Sequence, residues 1–391
     1  MFKKNPYKEI FDQINKNQKV CIYGLGEIGE AIKNELAKQR EDVEVVCFID
    51  TNKKGHLAGL NIISPFELKN YKNKYDKIII SSNAHRNDMN LILRALGIEQ
   101  ENIIKMPSKE ILDAIKAEKI NRTKAIFKYS SDKKLYQLLG EKRFGIGNKQ
   151  KNQRIIEDKF NSYKERIGDN VPLEQYFEHI NKDAIKVVID GGAFNALHSL
   201  FFCVEFKNIE KVYAFEPNYD DVKMLDSYFD KEPSKYNLTA QLIENYPEVE
   251  IVKKGLWDKE EILEFKDVAR NRAASGICQA EPYYVDDVGD IVKIETTFID
   301  KFVKDKQIKK VDFIKLDVEN SEIKVIEGAK NTILRDRPQM AISIYHSCEH
   351  FLNIPLILDE MLKDYIFRLG HYTRTTSETV LYAIPKELYK D

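Results

Sequence analysis

The chain has 391 residues, and its 62 Lys and Arg residues against 63 Asp and Glu residues give a formal net charge of −1 at pH 7. Hydrophobic residues make up 43% of the chain, enough to build buried cores, which excludes a disordered protein. The balanced charge gives no reason to expect a nucleic-acid partner. No apolar run approaches the roughly 18 residues that a bilayer crossing needs, so we predict no membrane span.

The cysteines and the N-terminal residues favour a cytoplasmic protein. Five cysteines are scattered without a Cys-x-x-Cys pair, which is typical of reduced thiols. Residues 1–16 contain no continuous apolar segment of the kind found in secretory signals. At roughly 150 residues per domain, the length allows two or three folded units.

The first α/β pattern contains a glycine-rich turn. A short apolar strand leads into Gly24, Gly26 and Gly29, which have Gly-x-Gly-x-x-Gly spacing, and a helix follows. The next strand ends at Asp50, 21 residues beyond Gly29. Such a turn brings backbone N–H groups close to a phosphate, and an acidic residue after the second strand accepts hydrogen bonds from ribose. We therefore predict a Rossmann-like domain that binds a nucleotide or a nucleotide-sugar, with a degenerate docking domain as the alternative.

This glycine pattern, together with the strand end Phe48–Asp50, is similar to the small nucleotide-binding domains at the front of some bacterial sugar acyltransferases. The polar segment that follows has apolar residues at helical spacing, including Leu135, Leu138 and Leu139. It predicts helices that join two domains. The predicted organisation is a Rossmann-like domain at 1–108, a helical linker at 109–180 and a second α/β domain at 181–391.

The second domain contains seven candidate strands, and helical patterns fit between several of them. The strands are Lys186–Ile189, Lys211–Phe215, Glu250–Lys254, Val311–Leu316, Met340–Tyr345, Tyr365–Leu369 and Thr379–Ile384. This alternation predicts an α/β fold with a doubly wound sheet, closed by an antiparallel hairpin. With the first domain, the chain is predicted to contain two doubly wound Rossmann-like domains.

The clearest motif follows the first of these strands. Asp190–Ala193 contains a Gly-Gly turn, which lets backbone N–H groups approach a ligand closely because glycine has no side chain. The next strand ends at Glu216 and Pro217, and Glu216 lies 26 residues past Asp190. A carboxylate at this position is placed to accept hydrogen bonds from ribose hydroxyls.

These motifs are parts of a longer resemblance. Between about Tyr176 and Lys386, the sequence resembles the FkbM family of S-adenosylmethionine-dependent methyltransferases. The blocks that carry the resemblance are Val188–Asn195, Ala214–Pro217, Gly255–Asp258, Val311–Glu319, Ile342–His346 and Glu378–Tyr382. The resemblance implies a class I methyltransferase fold, S-adenosylmethionine as the cofactor, and methylation of a hydroxyl group, often on a sugar.

The resemblance also implies a set of cofactor-binding residues, with Glu216 holding the ribose and the segment around Trp257 lying near the adenine. They are Asp190, Gly191, Gly192, Ala193, Asn195, Glu216, Pro217, Trp257, Asp258 and Asp317. The sequence departs from its relatives at two places. Ala196 and Leu197 stand where related sequences commonly have Gly-Asp, which bears on cofactor affinity, and Asn320 stands where glycine is common.

Three side chains are candidates for the catalytic base. A sugar hydroxyl is a poor nucleophile at neutral pH, so a group that takes its proton should accelerate methyl transfer. Asp317, His346 and His371 follow three successive strands of the predicted sheet, at the edge where ligands bind. Histidine titrates nearest to physiological pH, and His346 is slightly favoured because it directly follows an apolar strand.

A metal site is a weaker hypothesis. His346 and His350 have the spacing of a helical metal-binding pair, and Asp317 and Glu319 could help to hold a hard cation. No third ligand to the histidine pair is evident from the spacing, so the sequence predicts no metal.

We therefore expect a cytoplasmic S-adenosylmethionine-dependent O-methyltransferase that acts on a sugar hydroxyl of a glycan or of a nucleotide-sugar precursor. One alternative is a nicotinamide-linked sugar-nucleotide oxidoreductase that uses the first domain. Another is a non-catalytic nucleotide-sugar-binding protein with a degenerate methyltransferase domain. The sequence does not decide whether the protein forms a homo-oligomer.

Overall fold

The computed structural model describes residues 7–25, 27–57, 59–82, 85–105, 109–146, 148–167, 174–218, 245–267, 275–278 and 290–390. The chain divides into two compact units, Met1–Lys119 and Ile120–Asp391. Both units combine helices with sheets in which most strand pairs are parallel, so the predicted α/β class is confirmed. Among the helices that the structure describes, none combines the length and the apolar composition that a bilayer crossing requires.

The first unit contains one six-stranded sheet. Its strands are β1 (Lys19–Tyr23), β2 (Glu44–Ile49), β3 (Gly55–Leu57), β4 (Leu60–Ile63), β5 (Lys77–Ile80) and β6 (Ile103–Lys105). Their order is β3-β4-β2-β1-β5-β6, and only the β3–β4 pair is antiparallel. Its helices are α1 (Lys8–Phe11), α2 (Glu27–Gln39) and α3 (Arg86–Ala95), with 3-10 helices at Pro65–Tyr71 and Gln100–Asn102. The strands are apolar runs because both faces of a parallel sheet are buried.

The second unit is built on a seven-stranded sheet. Its strands are β7 (Val187–Gly191), β8 (Lys211–Phe215), β9 (Val249–Val252), β14 (Phe313–Leu316), β15 (Gln339–Ser343), β16 (Tyr365–His371) and β17 (Thr379–Pro385). The order is β16-β17-β15-β14-β7-β8-β9, and β17 is antiparallel to both of its neighbours. Each strand begins and ends within two residues of the bounds predicted from the sequence. The predicted closing hairpin is therefore observed as β16 and β17.

A smaller sheet lies between β9 and β14 in the chain, and the sequence analysis did not predict it. Its strands are β10 (Gly255–Leu256), β11 (Ile262–Asp267), β12 (Gly276–Ile277) and β13 (Asp290–Thr297), in the order β10-β13-β11-β12. Trp257 packs with apolar residues of this sheet, which include Phe265, Ile277 and Ile294. From residue 174 onward, the helices that the structure describes are α7 (Leu197–Glu205), α8 (Ile299–Asp305), α9 (Glu322–Gly328), α10 (Lys330–Asp336) and α11 (Cys348–Met361), with a 3-10 helix at Lys182–Ala184.

The segment predicted as a helical linker is helical, and from Ile120 onward it is part of the second unit. It contains α4 (Lys109–Lys124), α5 (Ser130–Phe144) and α6 (Lys149–Ile167). In α5, the Tyr136 ring stacks on Phe351 with ring centroids 4.3 Å apart, and its hydroxyl donates a hydrogen bond to the Phe351 carbonyl at 2.7 Å. Although α5 is rich in charged residues, these buried aromatic contacts fix it to the core.

Four neighbouring parallel strands, β15, β14, β7 and β8, place the functional residues of the second unit. Because they are parallel and adjacent, their carboxyl ends meet at one edge of the sheet, where open α/β sheets bind ligands.

Candidate active site

The turn after β7 is held by buried contacts on both sides. Asp190 is fully buried, and its carboxylate lies 3.0 Å from Lys315 Nζ and accepts a hydrogen bond from Ser199 Oγ at 2.6 Å. Lys315 also donates to the carbonyl oxygens of Gly191 and Gly192, at 3.1 and 2.7 Å. Asp190 therefore joins β7 to β14 and α7.

Glycine is required at position 192 because two backbone segments meet there. Gly192 has a φ of +71°, and a Cβ atom on it would lie 1.8 Å from the carbonyl oxygen of Asp317. The N–H groups of Gly192 and Ala193 donate to the Phe215 carbonyl at 3.1 and 3.0 Å. The sequence suggested that such N–H groups approach a ligand. In the structure these two bind the end of β8 instead.

Glu216 is a buried carboxylate held by two backbone donors. Its Oε2 accepts a hydrogen bond from the Phe194 N–H at 3.0 Å, and its Oε1 accepts one from the Asn218 N–H at 3.1 Å. Burial raises the pKa of Glu216 from 4.5 to about 7, although both N–H donors and the charge of Lys315 act in the opposite direction. Each carboxylate oxygen accepts more than one hydrogen bond, so both can still bind a ligand hydroxyl.

A cavity of about 340 Å³ lies at this edge of the sheet. Six of the residues implied to bind the cofactor line it, namely Gly192, Ala193, Asn195, Glu216, Pro217 and Asp317. Its apolar wall includes Leu256, Phe265 and Ile277. Its volume lies in the range of sites for small molecules, about 300–1,000 Å³.

Four residues of the implied cofactor set are not among those that line the cavity. Asp190 and Gly191 lie within β7, and Trp257 and Asp258 follow β10. The backbone N–H of Trp257 donates to the Thr297 carbonyl at 2.9 Å, and Asp258 Oδ2 accepts a hydrogen bond from Lys324 Nζ at 2.9 Å. These contacts fix the end of β10, whose two residues, Gly255 and Leu256, do line the cavity.

Each of the two departures from the family pattern includes one residue in left-handed backbone. Ala196 has a φ of 58° and Asn320 a φ of 69°. A non-glycine residue in this region costs about 1–2 kcal/mol, less for Asn, so the substitutions add backbone strain. Ala196 is fully buried and is not one of the residues that line the cavity, so its methyl group does not fill the cofactor space.

Three ionisable side chains converge at the ends of β14 and β15. His346 Nε2 lies 3.2 Å from Asp317 Oδ1 and 3.3 Å from Glu319 Oε1. Asp317 and Glu319 also line the cavity. We call Asp317, Glu319 and His346 the acid–histidine cluster.

The other face of the cluster is held by α9. His346 Nδ1 lies 2.9 Å from Oε1 of Glu322, a fully buried residue whose Oε2 lies 2.8 Å from Nδ1 of His350. The sequence analysis noticed the four-residue spacing of the two histidines and missed Glu322. The structure shows that this carboxylate contacts both of them.

Two tyrosine hydroxyls that the sequence analysis did not identify fix the Asp317 carboxylate. Tyr176 donates to Oδ2 at 2.7 Å, and Tyr345 donates to Oδ1 at 3.2 Å. Tyr176 comes from the segment predicted as a linker, although the family resemblance begins at this residue. Tyr176 is fully buried, so its ring belongs to the core of the second unit.

The charges of the cluster determine its protonation. Burial acts to lower the pKa of His346, but the negative charges of Glu322, Glu319 and Asp317 hold this pKa well above its ordinary value. Burial likewise acts to raise the pKa of Asp317, but His346 and Lys315 hold it below its ordinary value. Both directions favour the ion pair of an imidazolium and a carboxylate over two neutral groups.

His371 has a contact different from those of the cluster. Its Nδ1 is 2.9 Å from Thr379 Oγ1 of the neighbouring strand, and it is not one of the residues that line the cavity. Burial lowers the pKa of His371 to about 4. The structure thus brings Asp317 and His346 together and leaves His371 in a different environment.

In the first unit, the turn after β1 is closely packed. Gly24 has a φ of +116°, and its carbonyl accepts a hydrogen bond from Ser81 Oγ at 2.8 Å. A Cβ atom on Gly29 would lie 2.2 Å from the Gly24 carbonyl oxygen, so Gly29 lets α2 approach the turn. Asp50 Oδ1 accepts from the N–H groups of Asn52 and Lys53 and closes its own turn. Gly26 lies outside the described residues.

Two segments of the chain match models of known protein families. Residues 190–369 match the family model described as "Methyltransferase FkbM domain", and residues 16–104 match the one described as "C2185-like, N-terminal". None of the curated proteins compared matches the chain.

Among solved structures, this chain is similar to an FkbM methyltransferase from Methylobacillus flagellatus KT, at 15% identity and a TM-score of 0.44, covering 97% of this chain and 93% of that one. The UDP-D-quinovosamine 4-dehydrogenase of Vibrio fischeri covers 26% of this chain and 86% of its own, at 23% identity and a TM-score of 0.22. The precorrin-6y C5,15-methyltransferase of Geobacter metallireducens GS-15 covers 55% and 85%, at 10% identity and a TM-score of 0.27. At these scores, the likenesses support no statement about substrate.

The glycine turn after β7, the buried carboxylate after β8 and the acid–histidine cluster all lie within or near the segment that matches the family model. The segment that carries these features, residues 190–369, is the one that is similar to methyltransferase FkbM domains.

Proposed function

We propose that this protein is a cytoplasmic S-adenosylmethionine-dependent O-methyltransferase that acts on a sugar hydroxyl of a glycan or of a nucleotide-sugar precursor. The observation that carries the proposal is that a single cavity contains both Glu216, a buried carboxylate, and the two carboxylates of the acid–histidine cluster, Asp317 and Glu319. Glu216 is suited to accept hydrogen bonds from a ribose, and Asp317 and Glu319 are suited to accept one from an acceptor hydroxyl. We also propose that the second unit has a class I methyltransferase fold, in keeping with its strand order.

The residues around the cavity fit S-adenosylmethionine. Glu216 has accepting capacity beyond its two backbone donors, so it can accept hydrogen bonds from ribose hydroxyls. The apolar side chains of Leu256, Phe265 and Ile277 provide a wall suited to an adenine ring. When bound, the cofactor supplies an electrophilic methyl group on a sulfonium ion.

The acid–histidine cluster is proposed to orient the acceptor hydroxyl and to take up its proton. Asp317 and Glu319 line the cavity, whereas His346 contacts both carboxylates from within the protein. An oxygen nucleophile held close to the methyl group and in line with the leaving sulfur gains much of its reactivity from that positioning. Tyr176 and Tyr345 support this role because they fix the Asp317 carboxylate.

The proposal is tested by methyl transfer from isotopically labelled S-adenosylmethionine to UDP-, GDP- and dTDP-sugars and to polysaccharide acceptors. Mass spectrometry should detect a methyl ether on a sugar, and the Glu216→Gln variant should form much less of it. Failure of the folded protein to bind S-adenosylmethionine in calorimetry, or transfer to nitrogen or carbon only, would contradict the proposal.

For the first unit, we propose a nucleotide or nucleotide-sugar site at the turn containing Gly24 and Gly29. Support comes from the left-handed Gly24 and from its place between β1 and α2, the arrangement that binds phosphates in related folds. Thermal denaturation with UDP, UDP-sugars and NAD tests this proposal, since a bound ligand raises the melting temperature. A melting temperature unchanged by any of these nucleotides would favour a docking domain.

A further inference from the structure

We propose that the acid–histidine cluster is a binding site for a divalent metal cation, with Asp317, Glu319 and His346 each supplying one ligand atom. This inference extends the function proposed above by naming what the cluster binds. The binding itself does not depend on that function, because no step of the argument uses S-adenosylmethionine or an acceptor.

The distances from His346 Nε2 to the two carboxylate oxygens fit adjacent positions of an octahedral site. Nε2 of His346 lies 3.2 Å from Asp317 Oδ1 and 3.3 Å from Glu319 Oε1, and one ligand atom from each residue lies within 4.8 Å of the others. Divalent cations bind nitrogen and oxygen at about 2.0–2.3 Å, so ligand atoms at right angles lie about 2.8–3.3 Å apart. Both measured distances lie within this range.

The His346 ring is buried, and its Nε2 points into the cluster without a hydrogen bond. The side chain is 4% exposed, and no described residue forms a hydrogen bond of adequate geometry with Nε2. One ring nitrogen cannot direct a single N–H group at two carboxylate oxygens at once. A cation between the three atoms would bind the nitrogen and both oxygens together. The nitrogen would then offer its lone pair to the cation in place of an N–H group.

The surroundings of the cluster resemble the outer shell of a metal site. The second nitrogen of a metal-bound histidine usually lies against a carboxylate, which fixes the ring and the tautomer. Here, His346 Nδ1 lies 2.9 Å from Glu322 Oε1, and that oxygen also accepts the Val318 N–H at 2.9 Å. On the other side, Tyr176 holds Asp317 Oδ2, which leaves Oδ1 facing Nε2.

The backbone of Glu319 is strained in a way that directs its side chain to the cluster. Glu319 has a φ of 45° and is followed by Asn320 with a φ of 69°. Non-glycine residues in left-handed backbone cost roughly 1–3 kcal/mol each and are found preferentially at ligand-binding sites. Two successive residues of this kind place the Glu319 carboxylate against His346.

The ligand set favours a particular class of cation. Two carboxylates and one imidazole suit divalent ions that accept both oxygen and nitrogen ligands, such as Mn²⁺. Mg²⁺ prefers oxygen ligands, so it would interact mainly with the two carboxylates. Asp317 and Glu319 line the cavity, so a cation held by them would be reachable by an acceptor hydroxyl there. A metal ion lowers the pKa of a bound hydroxyl, which would assist its deprotonation.

The test is calorimetric titration of the EDTA-dialysed full-length protein with Mn²⁺, without S-adenosylmethionine, together with electron paramagnetic resonance of the bound ion. We expect one site per chain. The Glu319→Gln and His346→Gln variants should each bind at least 100-fold more weakly, and the matched variant of an exposed carboxylate, Glu210→Gln, should bind like the wild type. Glu319 is partly exposed, so its variant serves if the His346 variant fails to fold.

Absence of Mn²⁺ binding, or binding that both cluster variants retain at full affinity, would overturn the inference. Methyl-transfer assays separate this outcome from failure of the proposed function. Methyl transfer that continues unchanged in EDTA, together with absent Mn²⁺ binding in calorimetry, refutes the metal site and leaves the methyltransferase in place. Metal binding without any methyl transfer supports the site and refutes the proposed reaction.

Discussion

The proposed ribose contact is tested most directly by the Glu216→Gln variant, which keeps the shape of the side chain and removes its charge. Hydrogen bonds to a charged group contribute about 1.5–3 kcal/mol, so S-adenosylmethionine should bind about 10- to 150-fold more weakly to the variant. Gln retains one carbonyl oxygen, which can accept from only one of the two backbone donors, the N–H groups of Phe194 and Asn218. Loss of the other bond costs about 1–3 kcal/mol, which is less than the stability of a typical domain, so the fold should survive the change.

The pKa of Glu216 adds a second, independent readout. Burial raises this pKa to about 7, with Lys315 lowering it and Asp190 raising it. If ribose binds the ionised carboxylate, the site is competent in about one molecule in ten at pH 6, and affinity should be about tenfold lower than at pH 8. The raised pKa also favours the protonated folded state, so the free energy of unfolding without ligand should fall as pH rises from 4.5 through about 7.

Calorimetry at pH 6, 7 and 8 measures both effects. The ligand should be 5′-methylthioadenosine, which contains the ribose and the adenine but has no amino-acid group that titrates in this range. Wild type should gain affinity with pH, and Glu216→Gln should bind weakly and equally at each pH. The control is Glu210→Gln, an exposed carboxylate just before the same strand, which should behave like wild type. Equal affinity of wild type and Glu216→Gln, or a wild-type affinity independent of pH, would refute the ribose assignment.

Other variants test the remaining parts of the structure. Gly192→Ala should destabilise the second unit by several kcal/mol more than Gly97→Ala destabilises the first, as measured by urea denaturation, because both have positive φ but only Gly192 would place its Cβ against backbone. In single-turnover methyl transfer, Asp317→Asn should lower the rate by about 10²–10⁴-fold, and His371→Ala should change it less than about threefold because His371 does not line the cavity. Ser81→Ala should lower the free energy of unfolding of the first unit by about 1–3 kcal/mol, because it leaves the buried Gly24 carbonyl without its donor.

The sequence predicted the seven-stranded sheet well because buried parallel strands are short, continuous apolar runs. The seven strands of the second sheet were each placed to within two residues, and Lys211–Phe215 was placed without error. The small sheet of β10–β13 was missed. Two of its strands contain only two residues, and the ends of the eight-residue Asp290–Thr297 differ greatly in exposure, so no single periodicity marks them.

The sequence pointed to several residues that line the cavity, but it did not show most of their contacts. A Gly-Gly turn indicates close backbone approach, but only the fold shows that the partner of Gly192 is the Asp317 carbonyl. Likewise, the sequence position of Glu322 is that of an ordinary acidic residue in the first turn of a helix, where negative charge is favourable. Its contact with His346 depends on the packing of two separate elements, which local sequence patterns do not encode.

One turn connects the two ends of the proposed reaction site. The Gly192 backbone packs against the Asp317 carbonyl, and the Phe194 N–H, two residues later, holds Glu216. Phe194 has a φ of 50°, a strained conformation that is maintained only when the surroundings fix it. The distance between the Glu216 carboxylate and the acid–histidine cluster is therefore set by three residues of backbone. For the same reason, a change at Gly192 should weaken nucleoside binding and Mn²⁺ binding together, whereas Glu216→Gln should affect only the first.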